Sequence, residues 1–471
     1  MILRIVPLLL FAAISLFAPV IAVAQNSSEE LQYRKWRVTL LPPLSTNGVD
    51  APNYTARYSV NLLGGYHGGL DGAEIGGLVN YTKYYTEGIQ IAGLGNITNG
   101  SMAGLNIAGL GNIAKGDISG LQLAGALNLA ANNSNGLQLA GLGNFAAGDL
   151  EGLQGAGIIN ASWGSISGLQ IAGIANFAHK DVEGLQITGI MNVALADISG
   201  LQISGVANTA LKNTEGLMIT GGLNMGLENA GGLMVAGGLN YAKNLEGISI
   251  SGGANIARNL KGLQFAGLLN ASESAKGVQI GLVNIAREFE GVPIGFISYY
   301  GNGRKNIDAR FSDGGFTDIG ITLGTHHVYN SALFGYNTLL NRNVYRIGLA
   351  VGLEKNIQDS FERWRDETMY VNQEFAVTHQ FENEWSGDLN LIYSYKFMVG
   401  KRFSDGFSVY GGPSLNAQIT RVDGANDYTW YSLWSPERNG REYRFWVGFT
   451  TGVRFFKQKA PERLRNEFVN R

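Results

Sequence analysis

Residues 168–178 read G-L-Q-I-A-G-I-A-N-F-A, and this pattern returns along the middle of the chain at a step of sixteen residues. Each copy carries an Asn, a Gly stands three residues before every one of these Asn, and another Gly stands eight residues before most of them. A fixed period of this length is typical of repeat architectures. The Asn in strict register are Asn80, Asn96, Asn112, Asn128, Asn144, Asn160, Asn176, Asn192, Asn208, Asn224 and Asn240, and Asn255, Asn270 and Asn284 follow at shorter steps.

The composition differs from that of an ordinary globular enzyme. Gly accounts for 67 of the 471 residues, about twice the usual share, and there is no Cys. Without Cys, neither a disulfide nor a lipid-modified cysteine contributes to this protein. The formal net charge of −2 gives no concentration of Lys and Arg for binding phosphates, so we expect no nucleic-acid partner.

The N-terminus has the pattern of a secretory signal. Arg4 precedes an apolar run from Ile5 to Ile21, and Ala22-Val23-Ala24 forms a small-residue cleavage site before Gln25. We therefore expect residues 1–24 to be a signal peptide and the protein to be exported. No later stretch approaches the ~20 apolar residues of a helical span, so residence in a membrane would require β-strands.

The repeat region, residues 71–300, contains about fourteen units and admits two architectures. In a β-solenoid each unit is one coil, and successive coils stack in parallel. In the alternative, each unit is one strand of a single large up-and-down β-barrel. The units are equivalent, show no doubled period and contain few aromatic residues for a membrane girdle, so a Gly-rich solenoid is the prediction.

The solenoid prediction places each Asn above the preceding one, where side-chain amides can donate and accept along a ladder. We interpret this ladder as structural, and the parallel row of Gln in the same way. The other reading is a strip that binds a ligand such as a sugar. The predicted ladder consists of Asn96, Asn112, Asn128, Asn144, Asn160, Asn176, Asn192 and Asn208.

In residues 301–458 the repeat gives way to longer segments in which apolar residues alternate with small, polar or charged ones. One such segment has Leu349, Val351 and Leu353 on one side and Ala350 and Glu354 on the other. Apolar, aromatic faces opposite small or charged faces are typical of membrane barrels. We predict an all-β chain whose solenoid is followed by an antiparallel β-barrel-like module. Its seven or eight strands would close alone or with help from residues 35–41 and 58–63.

The remaining parts are an N-terminal stretch of strands or cap, residues 25–70, and a charged tail, residues 459–471. Two polar connections interrupt the barrel-like region, residues 358–368 and 421–442. The second is rich in aromatic residues and is the candidate partner-binding loop. The alternative is that both loops pack over the barrel mouth. The candidate binding residues are Tyr428, Trp430, Tyr431 and Trp434.

The sequence lacks the common catalytic and metal-binding motifs. It contains no G-x-S-x-G elbow, no phosphate-binding loop and no H-E-x-x-H zinc motif. His326 and His327 are adjacent, and neighbouring strand residues point to opposite faces, so the pair cannot chelate a metal alone. We expect no enzyme activity, no catalytic residue, no cofactor and no metal.

Beside the repeat stand L-P-P-L-S-T-N-G at residues 41–48 and Y-G-G-P-S at residues 410–414. On these motifs the chain resembles a family of surface-repeat proteins that Gram-negative bacteria export. The resemblance covers nearly all of the mature chain. It implies a location in the cell envelope or at the surface, and it implies no activity or catalytic residues.

Three functions remain open at this point. The first is a non-enzymatic outer-membrane protein, in contact with outer-membrane lipid, that serves as surface structure or adhesive display. Glycans and other envelope or surface proteins are its candidate partners. The second is an outer-membrane pore or transporter built as one large barrel. The third is a secreted carbohydrate-binding solenoid.

Overall fold

The computed structural model describes residues 31–357, 368–422, 424–425, 427–438 and 440–456. The predicted signal peptide, the charged tail and the loop of residues 358–367 lie outside these ranges. The chain divides into two compact units, Met1–Gly237 and Gly238–Arg471. The predicted solenoid followed by an antiparallel sheet is confirmed. The single large barrel is wrong, because the repeats pair in parallel, with Asn160 between Asn144 and Asn176.

From residue 31 onwards the first unit is built from solenoid turns and a short 3₁₀ helix, Gly48–Asn53. Its strands are β1 Gln32–Leu41, β2 Leu44–Ser45, β3 Tyr54–Asn61, β4 Gly64–Gly76, β5 Val79–Ala92, β6 Gly95–Thr98, β7 Met102–Ala108, β8 Gly111–Ala114, β9 Ile118–Ala124, β10 Leu127–Ala130, β11 Ser134–Ala140, β12 Gly143–Ala146, β13 Leu150–Ala156, β14 Ile159–Ser162, β15 Ile166–Ala172, β16 Ala175–Ala178, β17 Val182–Thr188, β18 Met191–Ala194, β19 Ile198–Ser204, β20 Ala207–Ala210, β21 Thr214–Thr220 and β22 Leu223–Ala236.

The second unit begins with further solenoid turns and continues into an antiparallel sheet. Its solenoid strands are β23 Leu239–Ser251, β24 Ala254–Ala266, β25 Leu269–Ile280, β26 Val283–Ile294 and β27 Ile297–Tyr300. Its antiparallel strands are β28 Arg304–Ser312, β29 Phe316–Gly324, β30 Val328–Asn337, β31 Val344–Asn356, β32 Met369–Glu382, β33 Asn390–Ser404, β34 Phe407–Thr420, β35 Glu437–Arg438 and β36 Arg441–Phe455.

The glycines of the repeat allow one coil to lie close to the next. Gly168 has a φ of +142°, a conformation that residues with a side chain rarely adopt. A Cβ on Gly168 would lie 2.1 Å from the carbonyl oxygen of Gly152 in the preceding coil. A Cβ on Gly173 would meet the carbonyl oxygen of Gly157 at the same distance. The two Gly columns of the sequence are therefore explained by backbone geometry.

The interior of the solenoid combines an apolar layer with a layer of amides. In the coil formed by β15 and β16, Ile166 and Ala178 are buried beside the buried amides of Gln170 and Asn176. The same positions in neighbouring coils pack into one apolar cluster, which contains Leu150, Ile166, Ala178, Val182, Ala194, Ile198 and Ala210. The side chains between them, such as Ile171, point outwards.

The antiparallel sheet closes on itself. Strands β28 to β34 pair in sequence order, β34 pairs with β36, and β36 pairs with β28 through partners such as Ala309 and Val453. Closure therefore uses eight strands, in agreement with the predicted seven or eight. Residues 35–41 and 58–63 take no part in this closure, because β1 and β3 pair with each other in the first unit.

Candidate functional site

The predicted Asn ladder forms a single buried column in the first unit. Asn160 Nδ2 donates to Asn176 Oδ1 at 3.0 Å and to the carbonyl oxygen of Ile171 at 2.8 Å. Each amide thus bonds both to the next amide and to the backbone of the next coil. The structure brings together all eight predicted members, and each is fully buried: Asn96, Asn112, Asn128, Asn144, Asn160, Asn176, Asn192 and Asn208. None of them can touch a ligand in solvent.

The row of Gln forms a second, shorter ladder. Gln170 Nε2 donates to Gln154 Oε1 at 2.9 Å, and Gln186 Nε2 donates to Gln170 Oε1 at 2.9 Å. Met218 and Met234 take the Gln position in the last coils of the first unit and are also buried. This row is likewise part of the interior.

The first unit has a charged cluster where the ladders begin. Glu74 stands sixteen residues before Gln90, in the Gln column, and is fully buried. Its carboxylate lies 2.8 Å from His67 Nε2 and 3.8 Å from Arg37 Nη1, and it accepts from Gln90 Nε2 at 2.8 Å and from Asn61 Nδ2 at 2.7 Å.

Two opposing effects set the pKa of Glu74. Burial raises it, but the charge of His67 and the hydrogen bonds from His67, Gln90 and Asn61 lower it, and the result is a pKa of about 2. Sequence reasoning missed this cluster. The one available signal was a carboxylate in a column otherwise made of amides and Met.

The last solenoid coil meets the barrel within the second unit. Ser298 occupies the Asn position of the ladder, and its hydroxyl accepts from Asn284 Nδ2 at 3.3 Å and from Asn330 Nδ2 at 2.8 Å. Asn330 belongs to β30 of the barrel. The ladder of the second unit therefore ends on a barrel side chain.

The barrel interior is filled by ion pairs. Arg310 lies between Glu374, at 2.7 Å, and Asp308, at 2.9 Å. Arg454 bridges Asp308, at 2.7 Å, and Glu354, at 2.6 Å. All five side chains are buried. Further pairs at their margins are Arg304–Glu354, Arg402–Glu354, Lys396–Glu374 and Arg346–Asp318. The alternation of the sequence predicted a polar interior, but it did not identify these pairs.

The outer surface of the barrel is apolar. On β31, Leu349, Val351 and Leu353 are 42%, 41% and 55% exposed, whereas Ala350 and Glu354 between and after them are buried. Other strands repeat this arrangement. Large exposed side chains on the outer surface include Ile319, Ile321, Phe334, Phe375, Phe397, Val399, Leu415, Val447 and Phe449.

The four aromatic residues of the candidate binding loop fall into two groups. Tyr428 is buried, its ring packs edge-on against Phe316 at 5.6 Å, and its hydroxyl accepts from Asn390 at 3.3 Å. Burial raises the pKa of Tyr428. Trp430, Tyr431 and Trp434 are exposed, with Trp430 at 89%. Three of the four residues are thus exposed to solvent, and Tyr428 is part of the packing beneath them.

The adjacent histidines contact backbone oxygens. His326 Nε2 lies 3.2 Å from the carbonyl oxygen of Asn302, and His327 Nδ1 lies 3.4 Å from that of Glu354. Burial and the nearby charge of Arg304 lower the pKa of His326 to about 4. Within the part of the chain that the structure describes, no three His, Cys, Asp or Glu side chains are grouped to hold a metal ion.

No helix within the described ranges is both long and apolar enough to cross a membrane. Comparisons with protein-family models, curated proteins and solved structures gave no match to this chain.

Proposed function

We propose that this chain is an exported, non-enzymatic outer-membrane protein whose eight-stranded barrel crosses the membrane. The observation that carries the proposal is the inside-out polarity of the barrel. Leu349, Val351 and Leu353 face outwards along one strand, while Glu354 and Arg310 lie in a buried, ion-paired interior. An outward apolar band around a polar interior is the arrangement of barrels that lie in lipid.

The filled interior favours an anchor over a pore. Eight strands leave an interior just wide enough for side chains to fill. Here the pairs of Arg310 with Glu374 and of Arg454 with Asp308 occupy it. The pore hypothesis required the repeats to be antiparallel strands of one large barrel. The repeats pair in parallel instead, as coils of a solenoid. We expect no ion conductance from this chain in planar bilayers.

A secreted carbohydrate-binding solenoid receives less support. Sugar binding requires exposed polar groups, and the Asn and Gln columns are buried. The outward columns of the repeat carry aliphatic residues such as Ile171 and Ile174 instead.

We infer the orientation of the barrel from the lengths of its connections. The chain enters β28 at the rim where β36 ends, since Ile307 pairs with Phe455. The turns at residues 325–327 and 405–406 lie at this same rim, where β31 also ends and β32 begins. The aromatic loop, residues 421–440, joins β34 to β36 at the other rim. Membrane barrels place short turns in the periplasm and longer loops outside.

Surface display is then assigned to the aromatic loop. Trp430, Tyr431 and Trp434 would face the medium, where large amphipathic rings are suited to contact glycans or other surface proteins. The last solenoid coil, which contacts the barrel near His326, would lie on the periplasmic side. The protein would thus join a periplasmic solenoid to an adhesive loop outside the cell.

Membrane fractionation and single-cysteine labelling test this proposal. The chain has no Cys, so Trp430→Cys and Asp405→Cys each introduce one thiol, at opposite rims. The protein should stay in carbonate-washed outer membranes. A membrane-impermeant maleimide should label Trp430→Cys on intact cells and Asp405→Cys only after permeabilisation. Release into the soluble fraction overturns the membrane assignment, and the reverse labelling pattern overturns the orientation.

A further inference from the structure

The first unit carries a flat outer surface that is entirely apolar, here called the aliphatic face. It consists of two columns that run from coil to coil in register, because equivalent residues pair in parallel. At its centre Leu139 is 39% exposed and Ile171 is 42% exposed. The columns through the central coils are Leu137, Leu153, Leu169, Leu185 and Leu201, and Leu139, Gly155, Ile171, Ile187 and Ile203.

Charged residues avoid this face completely. Between Gly88 and Gly237 there are three Lys, no Arg, four Asp and four Glu, and all of them lie outside the eleven-residue patterns. The Lys and Asp lie in the turns, and the four Glu lie on strands. Contiguous apolar surfaces of this kind mark contact sites, because soluble proteins rarely leave them in water.

The charged residues beside the aliphatic face argue against a lipid surface as its partner. Eight acidic against three basic residues give these coils a net charge of −5. Structures that lie on membranes normally carry Lys and Arg beside the apolar face, whereas these coils have three Lys and no Arg. The columns also lack the Trp and Tyr that anchor proteins at a lipid interface. A protein surface fits these observations better.

The face also has a notch at Gly155. Its column holds Leu or Ile in the neighbouring coils, and the missing side chain leaves a depression lined by Leu123, Leu139, Ala140 and Ala156. The backbone does not require glycine here, because Gly155 has no positive φ. A Cβ would approach only the flexible end of Leu139, at 2.8 Å. A notch of fixed position is useful for receiving a side chain of another protein.

The face has the size of a homodimer interface. Nine or ten coils at ~4.8 Å, and a width of roughly 15 Å across the two columns and the adjoining corner, give roughly 700 Å² per copy. Standard interfaces bury about 800 Å² on each partner. A two-fold arrangement would place the same face of each copy on the other and fill each notch with an aliphatic side chain of the partner.

We propose that the aliphatic face of the first unit binds the same face of a second copy of this chain. The two sheets pack face to face, with the notch at Gly155 fixing their register. The acidic side chains beside the face remain in water. This interface is independent of the barrel, so its failure and that of the membrane proposal are distinguishable.

The test uses the full chain purified in mild detergent, with its protein mass measured by light scattering. Wild type should have the mass of two chains. Ile171→Lys places a charge on the face and should weaken dimerisation at least about 100-fold, because a lysine is left buried without a partner. Ser167→Lys is the matched control, because Ser167 is exposed on the same strand but lies between Glu151 and Glu183. It should leave the dimer intact.

Gly155→Leu gives a second test that adds no charge. It should fill the notch and lower dimer affinity, while circular dichroism and the heat-modified gel mobility of the barrel stay unchanged. A monomeric wild type overturns the proposal, and so does a dimer that neither variant weakens. Quenching of a fluorophore at Ile171→Cys by spin-labelled lipid in vesicles would assign the face to lipid and also overturn it. Co-purification of one chain with a different protein bound to this face would also overturn the proposal.

Discussion

Asn330 of the barrel donates a hydrogen bond to Ser298 of the last solenoid coil at 2.8 Å. The same hydroxyl accepts from Asn284, so the ladder of the second unit ends on a barrel side chain. Asn330→Ala should lower the free energy of unfolding of this junction by about 1 to 2 kcal/mol, because the buried hydroxyl of Ser298 loses one of its two donors. Hydrogen exchange of the backbone amides of residues 298–300 measures this change in free energy.

The control for this junction is Asn259→Ala in the same unit, where Asn259 is exposed and bonds to another exposed amide. Its effect should stay within about 0.5 kcal/mol. Equal protection in both variants would show that the contact does not stabilise the junction.

The Asn ladder can be tested at its middle. Asn160→Leu removes the partners of Asn176 Oδ1 and of the Ile171 carbonyl, both inside the solenoid. We expect a loss of about 1 to 3 kcal/mol and a lower Tm. Asn135→Leu is the matched control, since Asn135 is exposed and bonds only at the surface. An unchanged Tm for Asn160→Leu would contradict the structural role of the ladder.

Glu74 should make stability depend on pH. Its folded pKa is about 2, below the ordinary value of 4.5. Because the folded pKa is depressed, the stabilisation is fully present above about pH 4.5 and is lost as the pH falls towards 2. Glu74→Gln should flatten the pH dependence of the urea midpoint in this window and destabilise the fold at pH 7 by about 3 kcal/mol, because Arg37 and His67 lose their partner.

Glu87 provides the control for Glu74, because it lies on the following strand and is exposed. Glu87→Gln should keep the wild-type slope between pH 4.5 and 2. If both variants have that slope, the pH dependence originates elsewhere in the chain.

A charged side chain on the outer face of the barrel should lower the free energy of unfolding more than one in an exposed loop. Val351→Arg should destabilise the protein in lipid vesicles by about 2 to 4 kcal/mol, because an outward strand residue near the middle of the membrane would place a charge in hydrocarbon. Trp430→Arg, in the exposed loop, should cost less than about 0.5 kcal/mol. Urea titrations of the folded protein in vesicles compare them. Equal costs would indicate that Val351 faces water.

The repeats were the most predictable part of the fold. In a solenoid of parallel coils, residues one repeat apart lie side by side. The sixteen-residue period therefore predicts that Asn160 lies between Asn144 and Asn176 in one column of Asn. The two columns of Gly are also visible in the sequence, but their reasons, the positive φ of Gly168 and its closeness to the Gly152 carbonyl oxygen, come from the structure.

Clusters that join distant strands were not predictable. Arg310 and Glu374 are 64 residues apart, and their contact depends on how far neighbouring strands are offset in the closed sheet, which alternation does not specify. His67 and Arg37 reach Glu74 from outside the repeat. In sequence, Tyr428 is one more aromatic residue of the loop, like its exposed neighbours. It is buried because its ring packs against Phe316, a contact that the sequence does not indicate.

Lipid quenching at the barrel wall tests the membrane proposal most directly. In the cysteine-free chain, Val351→Cys carries a bimane fluorophore on the outer face, and Trp430→Cys carries it in the loop. After reconstitution into vesicles with nitroxide-labelled lipid, a barrel that spans the membrane should show strong quenching at position 351 and little at position 430. A fluorophore at position 351 that resists lipid quenching and is quenched by aqueous iodide would contradict a barrel that spans the membrane.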